Sequence, residues 1–446
     1  MAEPASNQFA LLKTRRFLPL FLVQFLGAFN DQVYQKAFVA LITYRLADQV
    51  GIPIALLGVF ASALFILPFA VITPTAGQIA DRRDKAGLMR LIKAWEIVVM
   101  CLAVVGYYTQ NIYFLYFVLF LMGAQSAMFA PIKYSVLPQY LASSELMGGN
   151  GLVQGFTFLA IIFGTIIGNE LILREGGVLI VSIFVVSVAV IGFIASLYTP
   201  SAPPVLKDPP PVDWFFPRAI WKLFAMCRKT KPAFRAILAI SWFWFLGATF
   251  LSLLPAYAKE SLGVDEGVLT VLLAGFSIGV AIGAVASEAL SGGEVGVKLP
   301  PIGALGLAIM AVELFLATPV PPAEGTPLMD RAAFFADLTG WRILADFVIL
   351  AAFAGMYVTP LNAVLQAESP DERRASFIAC SNVMDAGMMV CSAGFVAVLV
   401  ALGVQTTEVL VLITLTGLPM SFAVARYAPD TRLGRIALSL WPRGPQ

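Results

Sequence analysis

Asn30, Asp31 and Gln32 interrupt an otherwise apolar run that extends from residue 17 to residue 46. Asp31 stands roughly 14 residues into that run, which at about 1.5 Å per residue is close to the midplane of a bilayer. A carboxylate at that depth is costly, by several kcal/mol, unless it faces protein or water. A helix that only anchors a protein has no use for such a group, whereas polar cargo crossing the membrane supplies one. Other polar side chains fall near mid-membrane in further apolar runs: Lys36, Gln125, Asn150, Gln154, Asn382 and Asp385. The chain contains no His. That removes the usual imidazole proton relay and most zinc sites, so neither an enzyme, a metal centre nor a cofactor is expected.

The elements that must hold these groups follow from composition. Hydrophobic residues make up 59% of the 446 and charged residues 13%, against about 25% charge in a soluble domain. Mean hydropathy is +0.85. This is an all-α integral membrane protein. Apolar stretches of about 20 residues mark twelve spans. Their approximate limits are 17–46, 54–79, 88–109, 111–134, 146–172, 177–199, 234–258, 264–290, 299–319, 338–365, 376–402 and 405–427. Only 200–233 is long and polar enough to link two halves. The expected organisation is a six-helix bundle over 1–199, a cytoplasmic linker over 200–233, and a second six-helix bundle with a short cytoplasmic tail over 234–446. Lys and Arg concentrate in alternate loops, which puts both termini on the cytoplasmic side. No removable signal peptide is read at the N-terminus.

Within the linker, Arg218, Lys222 and Lys229 share one helical face, while Ile220, Leu223, Phe224 and Cys227 lie towards the other. Trp214 and Trp221 are available for a membrane interface. This suits either an amphipathic helix on the anionic inner leaflet or an ordinary basic linker. The four cysteines, Cys101, Cys227, Cys380 and Cys391, are expected as free thiols. The net charge of +2 gives no reason to expect nucleic acid as a partner.

The halves repeat one another. Gly123, Pro131-Ile-Lys133, Asn150 and Gly155 are answered by Gly355, Pro360-Leu-Asn362, Asn382 and Gly387, at corresponding spans. Small-residue stripes suit close helix packing in lipid: Gly164 with Gly168 in the fifth span, and Gly275, Gly279 and Gly283 in the eighth. Stripes facing each other would let the two bundles rock; packing within one bundle is the alternative.

The loop after the second span reads Gly77-Gln-Ile-Ala80-Asp81-Arg82-Arg83-Asp84-Lys85. It resembles the G-x-L-A-D-R-x-G-R-K loop of the major facilitator superfamily. That resemblance implies a two-bundle, pseudo-symmetric transporter fold in which Asp81 and Arg82 latch one side of the protein. Asp84 replaces the usual glycine, which is expected to weaken the turn. Three further segments resemble bacterial lysophospholipid transporters: Gly27-Ala-Phe-Asn30-Asp31-Gln-Val-Tyr34-Gln-Lys36-Ala37; Pro131-Ile-Lys133-Tyr134-Ser-Val-Leu-Pro138; and Val358-Thr-Pro360-Leu-Asn362-Ala-Val-Leu-Gln366 with Ser381-Asn382. One departure is that the family's cation in the first helix sits one residue later here, at Lys36.

This likeness implies a flippase that carries lysophosphatidylethanolamine and related lysophospholipids from the outer to the inner leaflet of the bacterial inner membrane for re-acylation. The acyltransferase is expected as a separate functional partner, because its H-x4-D signature cannot occur in a chain without His. A monomer in contact with membrane lipids is expected. A zwitterionic lysolipid needs a cation for its phosphate and an acid for its ammonium. The implied binding set is Asn30, Asp31, Lys36, Lys133, Asn150, Gln154, Arg342, Asp346, Asn362, Asn382 and Asp385. Duller readings stand beside it: Asp31 buried against Lys36, Arg342 neutralised by Asp346 at i, i+4, and Lys93 paired with Glu96 at i, i+3. The alternative function is ion-coupled transport of a soluble or drug-like solute, with Asp31 or Glu313 as the coupling acid.

Overall fold

A computed structural model describes residues 8–46, 54–205, 210–319, 326–427 and 431–440. The end of the tail, including Arg443, lies outside the described residues. The helices are α1 Leu18–Arg45, α2 Ile54–Val71, α3 Thr73–Arg82, α4 Lys85–Thr109, α5 Ile112–Ser135, α6 Leu137–Tyr140, α7 Leu146–Leu173, α8 Gly177–Leu197 and α9 Phe216–Cys227. They continue with α10 Lys231–Ala256, α11 Glu266–Ser291, α12 Leu299–Ala317, α13 Arg331–Phe335, α14 Leu338–Glu368, α15 Arg374–Ala401, α16 Thr406–Leu415, α17 Gly417–Ala425 and α18 Arg432–Leu440. Among the described residues the only extended pairing is an isolated bridge between Val264 and Met329.

Nine helical segments of the described chain are long and apolar enough to cross a membrane, and the bent pair α2–α3 adds a tenth. Helices α1 and α4, of 28 and 25 residues, carry the charged groups that lower their hydropathy. Counting them gives twelve spans, consistent with the apolar pattern of the sequence. Local chemistry sets several boundaries. Asp84, Asn111 and Asp265 cap the starts of α4, α5 and α11 through their side chains. The second span is not straight: it bends by 45° at Ile72, between Pro68 in α2 and Pro74 in the first turn of α3.

The chain forms two compact units. The first comprises residues 1–145, 159–234 and 365–386. In it α1 packs on α2, α5 and α8, and α4 on α5 and α8. Tyr34 and Tyr107 are buried in its core with Phe38, Leu41, Met100 and Leu119. The Tyr34 hydroxyl donates to Leu115 O at 2.9 Å and that of Tyr107 to Tyr34 O at 3.2 Å, which satisfies both phenols while tying α1, α4 and α5 together. The second unit comprises 146–158, 235–364 and 387–446. In it α12 packs on α16 and α17, and Tyr357 donates to Ala239 O at 3.0 Å.

Each glycine stripe packs on a helix of its own unit, the alternative to the facing arrangement. A Cβ on Gly164 or Gly168 would come within 2.7 Å of Phe29 O or 2.6 Å of Val33 O, so that stripe lies on α1. A Cβ on Gly279 or Gly283 would meet Val348 O at 2.3 Å or Ala352 O at 1.9 Å, so that stripe lies on α14. Helices α7 and α11 do approach at another place, where a Cβ on Gly155 would stand 3.1 Å from Ala281 O. The spacing told which residues pack closely, and it carried no information on which helix they pack against.

Candidate functional site

The polar centre of the first unit is built by α1, α4 and α5. Glu96 of α4 is its hub. It accepts from Lys93 Nζ at 2.6 Å, from Asn30 Nδ2 at 3.2 Å and from Gln125 Nε2 at 3.0 Å. All four side chains are buried. Lys93 and Glu96 face the same way because they are three residues apart on one helix. Gly27 makes room for the ammonium, since a Cβ there would lie 2.7 Å from Lys93 Nζ. The Phe129 ring lies 5.8 Å from the same ammonium.

Asp31 sits beside this hub. Its Oδ2 accepts from Ser126 Oγ at 2.5 Å, while its Oδ1 is buried and has no hydrogen-bond partner. Asn30 Oδ1 is likewise unpartnered. The charges that act on Asp31 are Glu96, Lys93 and Lys133. Two carboxylates therefore face two ammonium groups. Lys133 also lies over the Tyr134 ring at 5.0 Å. The expected alternative, Asp31 paired with Lys36, is not what forms. Five residues along a helix turn Lys36 roughly 140° away, and it makes no ion pair among the described residues.

The other residues expected in the site divide between the units. In the first, Ser381 donates to Asp385 at 3.4 Å, Asp385 is an electrostatic neighbour of Tyr134, and Asn382 Nδ2 has no partner. In the second, the amides of Asn150 and Asn362 donate to carbonyls of their own helices, Leu146 O at 2.9 Å and Val358 O at 3.2 Å. Gln154 is buried there. Arg342 turns to Glu313, Nε to Oε1 at 3.0 Å, and leaves Asp346 Oδ2 unpartnered. Ser126 was missed by sequence reasoning. Its signal was a polar pair, Gln125-Ser126, inside an apolar span.

The loop that resembles the superfamily motif is largely helical here: Asp81 and Arg82 close α3. Asp81 is buried and accepts from Ala375 N at 2.8 Å and Ser376 N at 3.0 Å, the first turn of α15. A carboxylate at a helix N-terminus satisfies orphan N–H groups and opposes the positive end of the helix dipole. The close approach depends on Gly77, where a Cβ would stand 2.5 Å from Ala379 Cβ. Arg82 is half-buried at the end of the same turn. Asp84 does not weaken the turn. It caps α4 through Gly87 N at 2.9 Å and accepts from Ala202 N at 2.6 Å, fastening the linker.

One sequence pattern of the second unit has no chemistry attached. Gly275-Phe-Ser277-Ile-Gly279 has the spacing of a hydrolase nucleophile turn. Ser277 instead lies within α11 and donates to Leu273 O at 3.0 Å, in a chain without His.

The chain is similar to the lysophospholipid transporter LplT of Serratia proteamaculans, with 27% identity over 80% of this chain and 81% of that one. It is 26% identical to the lysophospholipid transporter LplT of Klebsiella pneumoniae over 89% and 92%. Among solved structures it resembles a bacterial homologue of the iron transporter ferroportin in an outward-facing state, with a TM-score of 0.69, 14% identity, and 92% and 98% of the two chains covered. It also resembles the E. coli fucose:proton symporter, with a TM-score of 0.65, 15% identity, and 94% and 100% covered. These relatives are transporters, not enzymes. The Major Facilitator Superfamily model matches residues 20–391, and with the helical architecture described above it assigns this chain to that superfamily.

Proposed function

We propose that this protein carries lysophosphatidylethanolamine and related lysophospholipids from the outer to the inner leaflet of a bacterial inner membrane, by alternating access, for re-acylation by a separate enzyme. The observation that carries this reading is the unpartnered Oδ1 of Asp31 within a balanced set of two acids and two lysines. A zwitterionic headgroup enters such a set without adding net charge, its ammonium meeting Asp31 and its phosphate meeting Lys133. Likeness to lysophospholipid transporters over most of the chain supports the cargo class. Lys36, Asn150, Gln154, Asn362, Asn382 and Asp385 are assigned to the walls of the path, and Arg342 with Asp346 to its second-unit side. Both termini are placed in the cytoplasm by the distribution of Lys and Arg.

The test is uptake of radiolabelled lysophosphatidylethanolamine by proteoliposomes, with and without ion gradients. Uptake above protein-free vesicles is expected. A second reading, ion-coupled transport of a soluble solute, is favoured by Asp346, whose Oδ2 is unpartnered beside the Arg342–Glu313 pair. No lysolipid uptake under any gradient would replace the first reading with the second.

In the same reading Asp81 is the latch. Asp81→Asn keeps the shape but removes the charge facing the start of α15, a loss of about 0.5–2 kcal/mol. Turnover is expected to slow, with the lysolipid Kd unchanged. A weakened Kd with turnover intact would assign Asp81 to binding instead.

A further inference from the structure

Helix α9 lies against α3 and is fixed by Asp213. Asp213 N donates to Gln78 Oε1 at 3.0 Å, and the carboxylate accepts from Arg218 at 2.7 and 2.9 Å and from Lys222 at 2.7 Å. Those bonds hold the Asp213 carboxyl below the usual carboxylate range. Ala219, Leu223 and Cys227, at steps of four, form the buried side. The opposite flank is apolar and uncovered: Trp214 and Trp221 are 75% and 76% exposed. Beside Trp221 runs an open groove of about 480 Å³ lined by Pro217, Ile220, Trp221, Phe224, Arg228 and Phe234.

The cations of this segment fall into two groups. Arg218 and Lys222 are both paired with the single carboxylate of Asp213, which offsets one of their two charges. Arg228, Lys229 and Lys231 are exposed and make no ion pair among the described residues. Only residues 228–230 separate α9 from α10, a helix long and apolar enough to cross the membrane. So short a connection keeps this end of α9 at the bilayer surface.

We propose that α9 and the first turn of α10 form a docking surface for an acidic phospholipid of the surrounding bilayer. Its acyl chain lies along the groove beside Trp221, and Arg228, with Lys229 and Lys231 next to it in the chain, meets its phosphate. Indole rings favour the boundary between headgroups and acyl chains. Basic residues beside them select acidic over zwitterionic lipid. A second copy of this surface brings the same three unbalanced cations and is repelled. Because Asp213 bonds to Gln78, the surface on which the lipid docks is fastened to α3, the helix that carries Asp81.

The full-length protein is reconstituted into vesicles containing brominated phosphatidylglycerol or brominated phosphatidylcholine, which quench tryptophan on contact. The Trp221 signal is the difference between the wild type and Trp221→Phe. Quenching is expected to favour phosphatidylglycerol, with the relative binding constant falling about fivefold for each cation removed, in Arg228→Gln and then in R228Q/K229Q/K231Q. Raising the salt concentration over the unmodified protein is expected to weaken the same preference. Equal quenching by the two lipids, a preference indifferent to both salt and charge removal, or a Trp221 that neither lipid quenches would each overturn the proposal. The last would mean that protein covers this face. None of these readouts involves lysolipid uptake, so they stand apart from the test of transport.

Discussion

Asp31→Asn is expected to lower lysolipid uptake by roughly 30- to 150-fold while leaving the fold intact. The reason lies in how the two oxygens of Asp31 are used. Oδ2 is occupied by Ser126, and an Asn carbonyl can still accept that bond. Oδ1 is buried with no partner and offers the charge-assisted bond to an incoming ammonium. Loss of one such bond in a dry site is worth about 2–3 kcal/mol, which sets the range given. The substitution also leaves the lysines around Asp31 in excess, so a zwitterion no longer meets a balanced set. Uptake in proteoliposomes and melting temperature in detergent are measured together. Near-normal uptake removes Asp31 from transport, whereas a parallel fall in melting temperature makes its role structural.

The second large effect is on stability. Lys93→Met or Glu96→Gln alone is expected to destabilise the protein strongly, by about 3–5 kcal/mol for a broken buried pair. The side chains of Lys93 and Glu96 are 1% and 2% exposed, so water cannot solvate the charge left behind. Glu96 also holds Asn30 and Gln125, and its loss frees donors on two further helices. The double variant is expected to recover at least half of the loss, because no unpaired charge remains. Additive single effects would mean the pair is not coupled. The Arg342–Glu313 pair is the contrast: its side chains are 53% and 36% exposed, and such a pair is worth about 0–1 kcal/mol.

Apolar run length made the spans legible, because a bilayer sets a helix length that composition alone reveals. The Lys93–Glu96 contact was equally legible, since three residues on a helix fix neighbourhood without knowledge of the fold. Contacts between helices were not. Nothing in the order of residues says that Glu96 collects Asn30 and Gln125, that Arg342 prefers Glu313 to Asp346 one turn away, or that Asp81 reaches a backbone nearly three hundred positions later. Lys36 shows the same limit from the other side. Its nearness to Asp31 along the chain suggested a pair that the helical turn forbids. The linker was half legible, in that its faces were visible but the anchoring of two cations by Asp213 was not.

The glycine stripes carry a mechanical consequence. At Gly283 the backbones of α11 and α14 are so near that an added methyl would overlap Ala352 O, and Gly168 brings α7 almost as near to α1. Ridged surfaces meshed at that distance resist sliding, because moving by one residue would drive a side chain into a carbonyl. Each pair therefore behaves as a stiff double stave. Any shape change in the unit that holds it must be taken up where the chain is already broken, as at Ile72 between α2 and α3 or at Thr416 between α16 and α17.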